Sequence, residues 1–193
     1  MSNLDARSDL YERETTLALL HEHTKTDSHR RHANAVEAAM RASARRAGGD
    51  ETYSAAEGLL NDYDYEMHPE APDHPLKGAE ILRERGYPEE FVNTILSHAS
   101  YTGVPRDNDC ARWLFAVDEL CGFCMACAMV QPDKKIAQVQ VKSVKKKLKK
   151  KDFAAKVNRE ENREGAADLG LELDEVIAHV LEALVPVGEE LGL

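Results

Sequence analysis

Gly58-Leu59-Leu60-Asn61-Asp62-Tyr63-Asp64-Tyr65-Glu66 and, after a loop rich in Pro and acids, His74-Pro75-Leu76-Lys77-Gly78-Ala79-Glu80-Ile81-Leu82 decide the reading of this chain. The first phrase closes an apolar run with an amide and a carboxylate. The second opens a new run with an imidazole followed by proline. Proline suits the first turn of a helix, where its missing N–H costs nothing. Both phrases therefore read as helix ends carrying polar side chains of metal-ligand type.

Working outward, apolar residues recur at spacings of three and four, strand-like alternation is absent, and Gly or Pro punctuates the segments. Helices are expected over about 9–23, 29–46, 51–61, 75–85, 88–100, 109–130, 139–151, 152–157, 159–168 and 173–191. Ser8, Asp27 or Ser28, and Asp50 are the expected caps of the first three, and Gly48-Gly49 the stop of the second. The fold class is all-α, a helical bundle. One domain is expected over 1–193, with a site-bearing core at about 25–130 and C-terminal helices at about 139–191 packing on it.

Composition narrows the function. Hydrophobic residues make up 42% and charged residues 31%, which suits a globular chain with one sizeable core. Lys and Arg total 25 against 35 Asp and Glu, a net charge of -10, so nucleic acid is not expected as a main partner. No apolar run approaches the roughly 20 residues that span a bilayer, so no membrane association is expected. The N-terminus MSNLDARSDLYERE lacks the apolar core of a secretory signal. Cys110, Cys121, Cys124 and Cys127 are poorly laid out for disulfides, which fits a cytoplasmic location. Nothing specifies an oligomeric state.

Two motifs have plainer readings than they first invite. The lysine run at 145–151 reads as a solvated helix face, because Val141, Val144 and Leu148 form an apolar stripe. Cys121, Cys124 and Cys127 rotate steadily around one helix, which favours core packing over a cluster of thiolates.

The chemistry-bearing residues are His32, the pair Asn61-Asp62, His74, His98 in Ile-Leu-Ser-His-Ala, and Asp118 in Leu-Phe-Ala-Val-Asp-Glu-Leu. A divalent metal needs nitrogen and oxygen donors arriving from several directions, and helix ends can deliver them. In this order the donors resemble the HD superfamily. GLL-x-D-x-DYE, HPLKGAEIL, FAVDEL, VKSVKKKLK and LDEVIAHVLEAL are similar to the small HDIG-type hydrolases over nearly the whole chain.

The resemblance implies an HD-domain-like bundle and metal-dependent attack of water on a phosphate ester. It implies that His32, Asp62 and Asp118 are ligands of a divalent metal, with Zn, Mn, Fe, Mg and Ni not distinguished. Asp62 would take a proton. His74 and His98 would hold a second metal or contact phosphate, with Lys77 and Arg106 as further phosphate contacts. The departure is Asn61, where the motif has His. A neutral amide oxygen is a poorer donor than imidazole, so metal binding is expected to be weakened or lost.

Other positions are expected around the cavity: Ser54, Glu57, Asn34 and His29 are polar where apolar side chains are expected, and Cys121 and Met125 share the face of Asp118 on the sixth helix, with Cys124 close beside it. They point to a reworked pocket. Two rival readings follow: metal-independent hydrolysis of an ester by Ser54 or a cysteine with a histidine, and an inactive fold that binds a ligand or a protein. His21, His23, His68 and His179 are expected at the surface.

Overall fold

The computed structural model describes residues 8–193, and among the described residues every regular element is helical. A 3-10 turn, Ser8–Leu10, leads into α1 (Arg13–His23), α2 (Asp27–Ala47) and α3 (Glu51–Leu60). A loop then reaches α4 (Asp73–Glu84) and α5 (Glu89–Ser97). The long α6 (Asp109–Met129) follows, and then α7 (Val141–Leu148), α8 (Arg159–Asp168), α9 (Leu173–Leu184) and a final turn α10 (Gly188–Leu191). None of these helices is long and apolar enough to cross a membrane.

Local chemistry explains most of the boundaries. Asp50 accepts hydrogen bonds from the N–H groups of Thr52 and Tyr53, the N-cap expected of it. Gly48, at φ 73°, takes the left-handed conformation that closes α2. Asn108 caps α6 and Asn158 caps α8 in the same way as Asp50. Two expected caps fail. Ser8 lies in the 3-10 turn before α1, and Asp27 is already helical, with Thr26 before it offering no side-chain cap. The segment 152–157 forms turns rather than a helix.

Two apolar cores lie side by side. The larger joins α2, α6 and α9 through Val36, Met40, Leu114, Val117, Phe123, Val176 and Val180. The smaller joins α1, α3, α4 and α5 through Leu20, Leu59, Leu60, Leu82, Phe91 and Ile95. Helices α2 and α3 approach closely because Gly58 has no side chain; a Cβ there would meet the Val36 carbonyl oxygen at 2.7 Å. On α7, Val144 and Leu148 are buried while Lys145 reaches Asp174, consistent with a solvated lysine face.

His179 departs from expectation. It is buried against Trp113 and hydrogen-bonds Ser43 at 2.8 Å, because α9 turns this face inward onto α2 and α6. His23 and His68 are half-buried, and His21 is exposed.

Candidate metal centre

The five donor side chains come from elements of both cores and meet where those elements adjoin. His32 lies in the second turn of α2, and Asp118 faces it from the middle of α6. Asn61 and Asp62 follow the C-terminus of α3. His98 caps the end of α5. His74 precedes Pro75, and proline restricts the preceding residue to extended geometry; His74 accordingly has φ -77° and ψ 135°. This break aims an imidazole from the edge of α4 at the carboxylate of Asp62.

Asp62 is the common partner. Its Oδ2 lies 3.5 Å from His32 Nε2, and its Oδ1 lies 3.2 Å from His74 Nε2 and 3.3 Å from His98 Nε2. His32 Nε2 is also 2.9 Å from Asp118 Oδ1. Two donor triads result, His32–Asp62–Asp118 and Asp62–His74–His98, each with its ligand atoms within 4.8 Å of one another.

The electrostatics follow from this crowding. Burial opposes the imidazolium of His32, but its hydrogen bonds with Asp118 and Asp62 outweigh burial and raise its pKa to about 10. The same contest, with Asp62 and Asp64 as partners, raises His74 to about 10. His98 is raised by Asp62 against its own burial. For Asp62, burial is overcome by the three imidazoles, which hold its carboxyl well below the usual range. The cluster thus calls for positive charge at its centre, from protons or from metal cations.

The residues present fit a divalent cation. Three imidazoles and two carboxylates are the donor types that transition metals take. Asn61 Nδ2 donates to Asp118 Oδ1 at 3.0 Å, while its Oδ1 is buried with no hydrogen-bond partner. A buried amide oxygen left unpaired is costly, and a cation beside it would relieve that cost.

A second layer fixes the donors. His74 Nδ1 is 2.8 Å from Asp64 Oδ1, and the Gly78 N–H donates to Asp64 Oδ2 at 2.9 Å. Gly78 is required there, since a Cβ would come within 2.6 Å of Asp64 Cγ. His98 Nδ1 bonds the Ile95 carbonyl, which leaves its Nε2 for the centre. A cavity of about 190 Å³ opens beside the cluster, lined by Asp62, His74, His98 and Asp118 together with Tyr65, Tyr101, Phe115, Glu119 and Glu161.

The chain matches no protein-family model, no curated protein and no solved structure.

His32, Asn61, Asp62, His74, His98 and Asp118 come together as expected. The other expected pocket residues do not line this cavity. Lys77 is exposed and pairs with Glu80. Arg106 pairs with Glu164 and Asp168 and lies over the Phe115 ring at 3.7 Å, so its charge is already met. His29 sits outside, bonded to Glu66 and Thr26. Asn34 faces the opposite side of α2 and bonds Glu190.

Ser54 Oγ lies 3.2 Å from Cys110 Sγ, and Glu57 is buried near the same cysteine. Seven residues before Asn61, Ser54 shares nearly the same stripe of α3 but lies about 10 Å back along its axis, beside Cys110 and out of reach of the cluster. Cys121, Cys124 and Met125 are packed in the larger core, where Cys121 meets the Ala35 carbonyl. Among the described residues, no hydrogen bond joins Ser54, Cys121 or Cys124 to a histidine.

Sequence reasoning passed over Asp64, Tyr65, Tyr101, Phe115, Glu119 and Glu161 as site residues. Asp64 and Glu119 carried a usable signal, since they stand two residues past Asp62 and one past Asp118 in the quoted phrases. Tyr101 and Glu161 had none, being placed by the α5–α6 loop and by α8.

Proposed function

We propose that the chain is a metal-dependent phosphohydrolase of the HD type, acting on a small phosphate ester. The single observation that carries the reading is the sharing of Asp62 between two donor triads, with both of its carboxylate oxygens engaged by imidazoles from α2, α4 and α5. His32, Asp62 and Asp118 would hold one cation and Asp62, His74 and His98 a second. Bound there, divalent metal supplies a Lewis acid for phosphoryl oxygens and lowers the pKa of water.

The chain's own groups do the rest. Asp62, common to both triads and held ionised by three imidazoles, would anchor both cations rather than accept the proton expected of it. Asp64 and the Ile95 carbonyl keep His74 and His98 aimed inward through their Nδ1 atoms. Asn61 holds Asp118 in place through Nδ2 and offers Oδ1 as a weak additional donor.

The geometry gives no comparable support to ester hydrolysis by Ser54 or a cysteine, because neither is joined to an imidazole. An inactive fold that binds a ligand is the remaining alternative, and one experiment separates it. Purified protein loaded with Mn²⁺, Zn²⁺, Fe²⁺, Mg²⁺ or Ni²⁺ is assayed for bound metal and for turnover of a panel of phosphomonoesters. About one to two equivalents of metal and turnover, both lost in Asp62→Ala, are expected. Stoichiometric metal without turnover of any ester would leave the binding fold; no metal retention in the parent chain would sink the reading.

A further inference from the structure

The cavity beside the cluster has a charge pattern that a simple phosphate ester does not satisfy. Four carboxylates line it, from Asp62, Asp118, Glu119 and Glu161, and no Lys or Arg does. Asp62 and Asp118 are answered by imidazoles. Glu119 and Glu161 meet no cationic Lys or Arg side chain among the described residues, although both are half-buried. The nearest expected cations are already committed: Arg106 to Glu164 and Asp168, Lys77 to Glu80. Burial and the nearby Asp118 raise both carboxyls, Glu119 to about 7, so the cavity by itself offers too little to stabilise their ionised forms, and a phosphate dianion alone would not supply it.

Aromatic rings complete the pattern. Tyr65, Tyr101 and Phe115 line the same cavity, with Tyr65 38% and Tyr101 55% exposed at its mouth. Arg106 already covers a face of Phe115, which leaves the two tyrosine rings, and aromatic rings beside carboxylates are surroundings that attract an organic cation. The volume, about 190 Å³, suits a small molecule.

We infer that the substrate is a small phosphomonoester whose alcohol carries an ammonium group, the phosphate directed to the metal triads and the ammonium to Glu119, Glu161 and the rings of Tyr65 and Tyr101. The inference rests on the phosphohydrolase reading for the phosphate end and on the cavity wall for the ammonium end. The positive charge of the alcohol offsets the two unanswered carboxylates and leaves the phosphate to the metal.

The test uses the full chain loaded with Mn²⁺ and two non-hydrolysable ligands. These are the phosphonate analogues of phosphocholine and of 3,3-dimethylbutyl phosphate, which share shape and differ in the ammonium charge. Calorimetry is expected to show roughly tenfold tighter binding of the ammonium ligand. Glu161→Gln should move the ratio towards one, and Glu161→Lys should invert it. Equal binding of the two ligands overturns the inference; if phosphomonoesters are still turned over, the hydrolase reading survives that result. Preference for the ammonium ligand with no turnover of any ester has the reverse meaning: cation recognition stands and the hydrolase reading falls. Failure of both ligands to bind overturns the inference.

Discussion

Asn61 occupies a fully buried position, donates to Asp118 through one end of its amide, and leaves the other end without a partner. Replacing an amide oxygen by an imidazole nitrogen puts a stronger donor at that unsatisfied point. Asn61→His is therefore expected to tighten Mn²⁺ or Zn²⁺ binding by about tenfold or more, read by competition with a chelating dye. Unchanged affinity would mean that the amide oxygen does not face the metal. Glu57 presents a different single-residue problem. Both of its oxygens are buried without a hydrogen-bond partner, and burial raises its pKa from 4.5 to about 8. The unfolded chain ionises near the ordinary value while the folded chain holds the proton. The stability this group contributes is therefore fully present below about pH 4.5 and is lost as pH rises through about 8. Glu57→Gln removes that dependence, so its stability relative to the parent should rise by several kcal/mol between pH 4 and pH 9 in urea unfolding. A difference that stays constant over that range would refute the assignment.

At the scale of elements, the site depends on how closely α4 passes Asp64. The Gly78 N–H reaches the carboxylate only because no side chain intervenes, and Asp64 in turn fixes the His74 ring. Gly78→Ala would place a methyl against Asp64 Cγ, and the shift needed is expected to cost about 1–3 kcal/mol, with metal affinity lost alongside. Gly122 on α6 is the control. A Cβ there meets only the His32 ring at an ordinary 3.7 Å, and alanine is the better helix former, so Gly122→Ala should hold or slightly raise stability. Denaturant titrations of the pair, with metal content measured on both, check the contrast. Helix spans were legible because apolar spacing, Asp50 and Gly48 act within a turn or two of themselves. The caps expected of Ser8 and Asp27 failed because a polar side chain can cap only where the backbone leaves the helix, and that point shifted by one or more residues.

Across the whole molecule, the acidic chain gathers imidazoles and carboxylates from both cores into one cluster, so a cation bound there ties those cores together. Metal at about a hundredfold over its dissociation constant should add about 2.7 kcal/mol of stability, a rise of roughly 5–10 °C in Tm. Asp62→Ala, which removes the member common to both triads, should abolish that rise in a thermal melt. Equal shifts in parent and variant would place the metal elsewhere. By itself the sequence determined the all-α class and most of the helices, because periodicity and caps are properties of short stretches, and the order of its polar motifs, through their resemblance to a known family, pointed to the side chains that cluster. It misplaced Ser54, Glu57, Asn34 and His179, and it credited Lys77 and Arg106 with a role at the site. Which face of a helix looks into a cavity, and whether a charge is already answered by a neighbour, depends on how α2, α3, α6, α8 and α9 pack together. Glu161 enters the cavity, and Arg106 is turned to Glu164 and Asp168, only because α8 lies against α6, where Gly165 lets the backbones come close. Contacts between segments so distant in the chain are set by packing, and only the tertiary structure decides them.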